Sequence, residues 1–305
     1  MRIIVNGQQA FGEAVLRALV ERGENVVAVY CAPDKIGARP DPLKLAAESL
    51  GLPVYQPQSF KNPDVWAQMS ALKPDLCVMA FVTKFVPSDC LSIPRLGTIQ
   101  YHPSLLPRHR GPSAINWPII QGETVTGLSI FWPDDGLDTG PILLQKTINI
   151  GPDDTLGTLY FDNLFPMGVS AMLESVDLVR ECKAPRVEQD HTLSDYQGWC
   201  KAEDCVIDWA KPAQTVYNLI RGANPSPGAS TLFKDESLSL YDARMTGSQG
   251  GKTGSISAVH EDGIVVEAGG GAILVQRLRF GKGPKEAATE WFKREALTIG
   301  TQLGS

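Results

Sequence analysis

Arg2-Ile3-Ile4-Val5-Asn6-Gly7-Gln8-Gln9-Ala10-Phe11-Gly12-Glu13-Ala14-Val15-Leu16-Arg17-Ala18-Leu19-Val20-Glu21-Arg22-Gly23 is the stretch that decides the fold. It opens with a short apolar run, the pattern of a buried strand. Phe11, Val15, Leu16, Leu19 and Val20 then recur at helical spacing, and Gly23 supplies the stop. A strand feeding a helix through a tight glycine turn is the first half of a βαβ unit. The turn reads Gly-x-x-x-x-Gly but lacks the Lys-Ser/Thr that follows in a phosphate-binding loop. A tight strand-to-helix turn is therefore the better reading than a nucleotide cradle.

Working outward, the same rhythm repeats. Residues 26–31, 53–55, 75–80 and 98–101 are further strand-like runs. Asp41 is placed to cap a helix that starts at Pro42 and ends by Gly51. Residues 62–72 and 113–121 carry helical patterns. This predicts an α/β domain, a Rossmann-like, mostly parallel sheet with helices on both faces. Residues 128–132 and 142–148 add two later strands, and residues 155–181 one long helix broken near Pro166. Residues 182–204 are polar and weakly periodic, the pattern of a linker. Residues 212–221 form one more helix. Residues 237–241, 254–259, 263–268 and 272–278 then read as short strands punctuated by turn residues, which suggests a small OB-like β-barrel. The expected domains are 1–183, a linker over 184–203, and 204–305. Residues 246–254, rich in Gly and Ser, are expected to be a mobile loop.

The 305 residues, 43% hydrophobic and 20% charged, suit a two-domain globular protein. A net charge of −6 argues against an extended nucleic-acid surface, which needs positive charge. The six cysteines form no CxxC pair, so reduced thiols and no metal site are expected. The N-terminus reads as a strand rather than a signal peptide, and no apolar run is long enough to span a bilayer. A cytoplasmic location follows as the expectation.

The chemistry concentrates in Gln100-Tyr101-His102-Pro103-Ser104-Leu105-Leu106-Pro107-Arg108-His109-Arg110-Gly111, where a strand ends. Ligands of open α/β sheets bind at such ends. The turn Asp134-Asp135-Gly136-Leu137-Asp138-Thr139-Gly140 follows the next strand. Adjacent strand ends would bring Asp138 toward His102, where a carboxylate orients an imidazole. No nucleophile elbow surrounds Ser104, so serine catalysis is not expected. His191 and His260 fall in linker and turn positions and are given no role.

These motifs, with Ser113-Ala-Ile-Asn-Trp117, Leu143-Leu-Gln-Lys146, Ile207-Asp-Trp209, Ile220-Arg-Gly222 and Pro227-Gly-Ala229, resemble the formyltransferase family that uses 10-formyltetrahydrofolate. The resemblance runs from Met1 to about Phe292. It is closest to the N-terminal hydrolase domain of 10-formyltetrahydrofolate dehydrogenase, with methionyl-tRNA formyltransferase a further relative. It implies a catalytic His102 and Asp138. It also implies a folate-binding loop at Lys84, Phe85 and Val86, with Ser104, Leu105, Leu106, Pro107 and Asp138 lining the folate site. The implied formyl donor is 10-formyltetrahydrofolate, yielding tetrahydrofolate without a metal.

One position departs from the pattern. The family's transferases carry an Asn two residues before the catalytic His, and the dehydrogenase's hydrolase domain carries an apolar residue there. This chain has Gln100. Gln100 brings the same amide on a longer stem and keeps both water and amine open as acceptors. Between Cys31 and Leu43 the only bases are Lys35 and Arg39, so the extra basic loop of the tRNA enzyme is missing. The leading expectation is transfer to water, releasing formate, or to a small amine. Transfer to methionyl-tRNA, transfer to a nucleotide-sugar amine, and a folate-binding regulator without turnover are the alternatives.

Overall fold

The structure is a computed structural model that describes residues 1–304. In chain order the first elements are β1 (Arg2–Gly7), α1 (Gln9–Glu21), β2 (Asn25–Tyr30), α2 (Pro42–Ser49), β3 (Val54–Tyr55), α3 (Pro63–Ala71), β4 (Leu76–Ala80), α4 (Ser88–Leu91) and β5 (Thr98–His102). There follow α5 (Asn116–Ile120), β6 (Val125–Phe131), β7 (Ile142–Asn149), α6 (Leu156–Thr158) and α7 (Phe165–Arg180). Seven strands form one sheet in the order β3-β2-β1-β4-β5-β6-β7. The pairs from β3 to β5 are parallel, and β6 runs antiparallel to β5.

Alternation along the strands explains the two covered faces. Ile3, Val5, Val78, Ala80, Ile99 and Tyr101 pack with Phe11, Val15 and Leu16 of α1 and with Met172 and Val176 of α7. Ile4, Cys77 and Met79 face the other way, against Phe60, Met69 and Leu91. Each fully buried Leu or Ile contributes roughly 1.5–3 kcal/mol. Local signals act as the sequence suggests. Asp41 caps α2 by accepting from the Leu43 N–H at 2.9 Å, and it also accepts from Gln9 N–H at 2.9 Å. Gly7 is required by close approach, because a Cβ there would lie 2.3 Å from the Ala80 carbonyl oxygen. Pro166 cannot donate to the carbonyl four residues back, and the turns before it widen into a π-helical segment, Leu159–Leu164.

The remaining elements are α8 (Ala213–Gly222), β8 (Ala229–Phe233), β9 (Glu236–Thr246), β10 (Ile256–His260), β11 (Gly263–Ala268), β12 (Gly271–Phe280), β13 (Glu286–Ala287) and α9 (Ala288–Arg294). The order β10-β11-β12-β9-β8 is antiparallel throughout, with β13 on β12. Val216, Ile220, Leu238, Leu240, Ile264, Val266, Ile273 and Trp291 form its core. The last residues lie between the outer strands. Ile256 N–H donates to Thr301 O at 2.9 Å, and Gly304 N–H donates to Leu232 O at 2.8 Å. The Gly/Ser-rich segment is anchored on Glu267, which accepts from Ser248 Oγ–H at 2.6 Å and Gln249 N–H at 2.9 Å.

The chain forms two compact units. One comprises Met1–Ala114, Gly127–Ile148 and Asn163–Tyr196; the other comprises Ile115–Thr126, Asn149–Asp162 and the chain from Gln197 onward. The second unit therefore recruits two earlier segments of the sequence. Asn116 donates to the Gly222 carbonyl at 2.9 Å, and Arg221 donates to the carbonyls of Gly151 and Asp154 at 3.2 and 3.0 Å.

Candidate active site

β5 ends at His102, and its pairing sets the direction of the side chains. Ile99 and Tyr101 enter the α1 core, so Gln100 and His102 project from the opposite face. Because β6 is antiparallel, the connection after it begins opposite Gln100, which pairs with Phe131. The turn over residues 134–140 then folds back to His102. Strand-end proximity was the expected route; the observed one is this return. Gly140 permits it, since a Cβ there would stand 1.8 Å from the Trp132 carbonyl oxygen.

The two side chains meet in a buried setting. His102 is 5% exposed and Asp138 8%. His102 Nδ1 lies 3.6 Å from Asp138 Oδ2. His102 Nε2 is 2.9 Å from the His109 carbonyl, which can only accept, so Nε2 carries a hydrogen there. Asp138 Oδ2 also accepts from the Gly111 N–H at 2.9 Å. The separation of 3.6 Å is longer than a hydrogen bond. Gln100 is half-buried, and no hydrogen bond of its side-chain amide is found among the described residues.

The other expected residues divide into exposed and bracing groups. Phe85 is 52% exposed with Lys61 Nζ 5.4 Å from its ring centre, and Phe81 nearby is 41% exposed. Val86 is buried in the second core. Lys84 turns its ammonium away, to the carbonyls of Pro57 and Gln58 at 2.9 and 3.0 Å. Ser88 N–H donates to Asp135 Oδ1 at 3.0 Å, tying this loop to the Asp138 turn. Ser104 is fully buried; its hydroxyl donates to Arg108 O at 2.7 Å and its carbonyl accepts from Ser129 Oγ–H at 2.7 Å. Leu106 is held through Ser129 and Gln145. Leu105 is half-buried. Leu106 and Pro107 line a cleft of about 370 Å³ with Gln145, Val187 and Gln189. His102 and Asp138 lie outside that lining.

One participating segment escaped the sequence reading. Residues 187–195, within the stretch read as a linker, strap across both loops. Ile142 and Val187 exchange backbone hydrogen bonds at 2.8 and 3.0 Å, and Arg110 N–H donates to Asp195 O at 3.2 Å. Gln189 and His191 both contact the Arg110 guanidinium, at 2.6 and 2.9 Å. Gln189 also donates to the Asp138 and Gly140 carbonyls. Nothing local marks Gln189 and His191, since these partners lie 49 to 81 positions away. Among the described residues no group of three His, Cys, Asp or Glu could hold a metal ion, and no helix is long and apolar enough to cross a membrane.

The chain belongs to the formyl transferase family and is an enzyme of formyl-group transfer. The family's formyl transferase model matches residues 1–173, and its C-terminal domain model matches residues 200–296. The chain is 39% identical to the methionyl-tRNA formyltransferase of Geobacter metallireducens, across all of this chain and 99% of that protein. It is 41% identical to the human cytosolic 10-formyltetrahydrofolate dehydrogenase over 98% of this chain, but spans only 35% of that relative's length. An N-formyltransferase structure from Helicobacter canadensis, in complex with folinic acid and dTDP-3-aminofucose, superposes with a TM-score of 0.71 at 17% identity, covering 90% of this chain and 98% of that one.

Proposed function

We propose that this protein transfers the formyl group of 10-formyltetrahydrofolate to a primary amine. The observation that carries the reading is the arrangement of Gln100 and His102 on one face of β5 with Asp138 at 3.6 Å from the imidazole. A formyl group on nitrogen is an amide-like carbon, and attack on it creates an oxyanion. Gln100 donates its amide N–H to that oxygen, the role an Asn plays two residues before the catalytic His in related transferases. His102 and Asp138 take the proton that the attacking amine loses, and His102 returns it to the departing folate nitrogen. The loop at Lys84, Phe85 and Val86 receives the folate ring. Its exposed Phe81 and Phe85 offer apolar contact, and the anchoring of Lys84 elsewhere leaves the loop's backbone groups to read the ring's polar edge. Leu105, Leu106 and Pro107 border the same ligand, with Ser104 bracing their turn.

Two comparisons favour an amine over water. The Geobacter relative matched from end to end is a methionyl-tRNA formyltransferase, and the Helicobacter structure holds an amino-sugar nucleotide. Both acceptors present a primary amine. Water is the second reading, supported by the identity to the dehydrogenase. The antiparallel second unit, with its last residues bonded to β10 and β8, fits an OB-like barrel, and a cytoplasmic site of action suits a folate enzyme. Incubating the protein with 10-formyltetrahydrofolate and assaying tetrahydrofolate and formate separates the readings. Tetrahydrofolate release that requires methionyl-tRNA or an amino-sugar nucleotide supports the amine. Equal release of formate without any amine overturns it, and no consumption at all points to a folate-binding regulator.

A further inference from the structure

We propose that Gln189 is a positioning residue for Asp138, setting the carboxylate against His102 through a single buried amide. The inference rests on the formyl-transfer reading for its kinetic consequence, but its geometry stands independently. Gln189 is 6% exposed. Its Nε2–H groups donate to the carbonyl of Asp138 at 3.0 Å and to that of Gly140 at 2.7 Å. Its Oε1 accepts from Arg110 Nη2–H at 2.6 Å. Arg110 is itself 9% exposed and lies between His109, whose carbonyl meets His102 Nε2, and Gly111, whose N–H meets Asp138 Oδ2. One amide therefore ties the loop that orients His102 to the turn that presents Asp138.

The turn needs such support. Asp138 has φ of 55°, a left-handed conformation that a non-glycine residue holds only when its surroundings impose it. His109 on the facing loop has φ of 52°. Gln189 reaches them from a segment fixed on both sides, by the Val187–Ile142 pair and by the Asp195 carbonyl. An amide is the side chain that suits the place. It offers two N–H donors to two carbonyls and one acceptor to a guanidinium, which no carboxylate or hydroxyl supplies.

The test uses the full chain with Gln189→Glu, which keeps the acceptor for Arg110 but loses both donors, and Gln189→Met, which loses all three bonds. Both variants are expected to lose about 10- to 100-fold in kcat, the scale of a misplaced catalytic group. Folate affinity, read by fluorescence, should stay within about two-fold because no folate contact is removed. In an Asp138→Asn background the Gln189 changes should add nothing, since residues acting through one another are not additive. Wild-type kcat in Gln189→Glu, or an equal loss in the Asp138→Asn background, overturns the proposal. Amide hydrogen exchange supplies an arm free of turnover. Exchange at the Gly111 N–H should quicken at least about ten-fold in Gln189→Glu, with protection of β4 and β5 unchanged. Unchanged Gly111 exchange overturns the positioning role even if the wild type turns over no formyl-folate, a result that would instead sink the transfer reading. Should Gln189→Met fail to fold, Gln189→Glu decides both arms.

Discussion

Asp138 and Glu267 are two buried carboxylates with opposite surroundings. Glu267, 2% exposed on β11, has its oxygens bonded by the Ser248 hydroxyl and the Gln249 N–H. Asp138, 8% exposed, receives one backbone bond at 2.9 Å and faces an imidazole 3.6 Å away, on a backbone in the left-handed region. A carboxylate with its bonds made is a fixture of the fold. One that keeps acceptor capacity beside an imidazole, on a left-handed backbone, suits the catalytic role proposed for Asp138. The comparison separates groups that hold the structure from groups the structure holds ready.

Substitution breaks or sharpens that contrast, most strongly at the proposed catalytic pair. His102→Ala and Asp138→Asn should each lower kcat by about 10²–10⁴-fold, the usual weight of general acid–base catalysis. Folate binding should persist, and melting temperatures should stay close to wild type. Glu267→Gln should do the reverse, keeping turnover while lowering stability. A turnover assay beside a thermal melt reads both quantities. Full activity in His102→Ala would remove the mechanism.

The next effect in size lies at Gln100. Gln100→Leu removes the amide proposed to face the developing oxyanion, and kcat for amine transfer should fall about 10²–10³-fold. Formate release should fall less, since the dehydrogenase's hydrolase domain does without a polar residue there. Gln100→Asn shortens the stem to the length found in the transferases and should retain amine transfer. Equal loss of both products in Gln100→Leu would show that the amide does not distinguish the acceptors.

Much of this was legible because the determining forces are local. The Asp41 cap and the break before Pro166 act within a few residues and appear in the structure where the pattern puts them. The approach of Asp138 to His102 was also readable, though the antiparallel direction of β6 was not, because a short apolar run carries no sign of its direction. The strap was illegible for a different reason. Gln189 lies in a polar stretch without periodicity, and its value comes from carbonyls 49 and 51 residues earlier. Helix α9 and strand β8 were likewise missed. They are short, seven and five residues, and their type is decided by packing on the sheet rather than by pattern.

The smallest expected effect returns to Glu267 and tests its half of the contrast by pH. Burial by itself would raise the carboxyl's pKa, but Ser248, Ser257 and the Gln249 N–H together outweigh it and hold it below its ordinary value of 4.5. A depressed carboxyl pKa in the folded state means that the stabilisation is fully present above the unfolded value. It is lost as pH falls through the folded one. Wild-type stability should therefore decline as pH drops below about 4.5, while Glu267→Gln should show a flatter acid limb. At neutral pH the variant should be less stable by about 1–3 kcal/mol, because an ionised acceptor is replaced by an amide that cannot accept at both positions. The two melting curves should converge toward low pH, where the native carboxyl is also protonated. Parallel curves over the whole range would mean that the Glu267 charge contributes nothing, and the distinction between the saturated and the poised carboxylate would lose its thermodynamic basis.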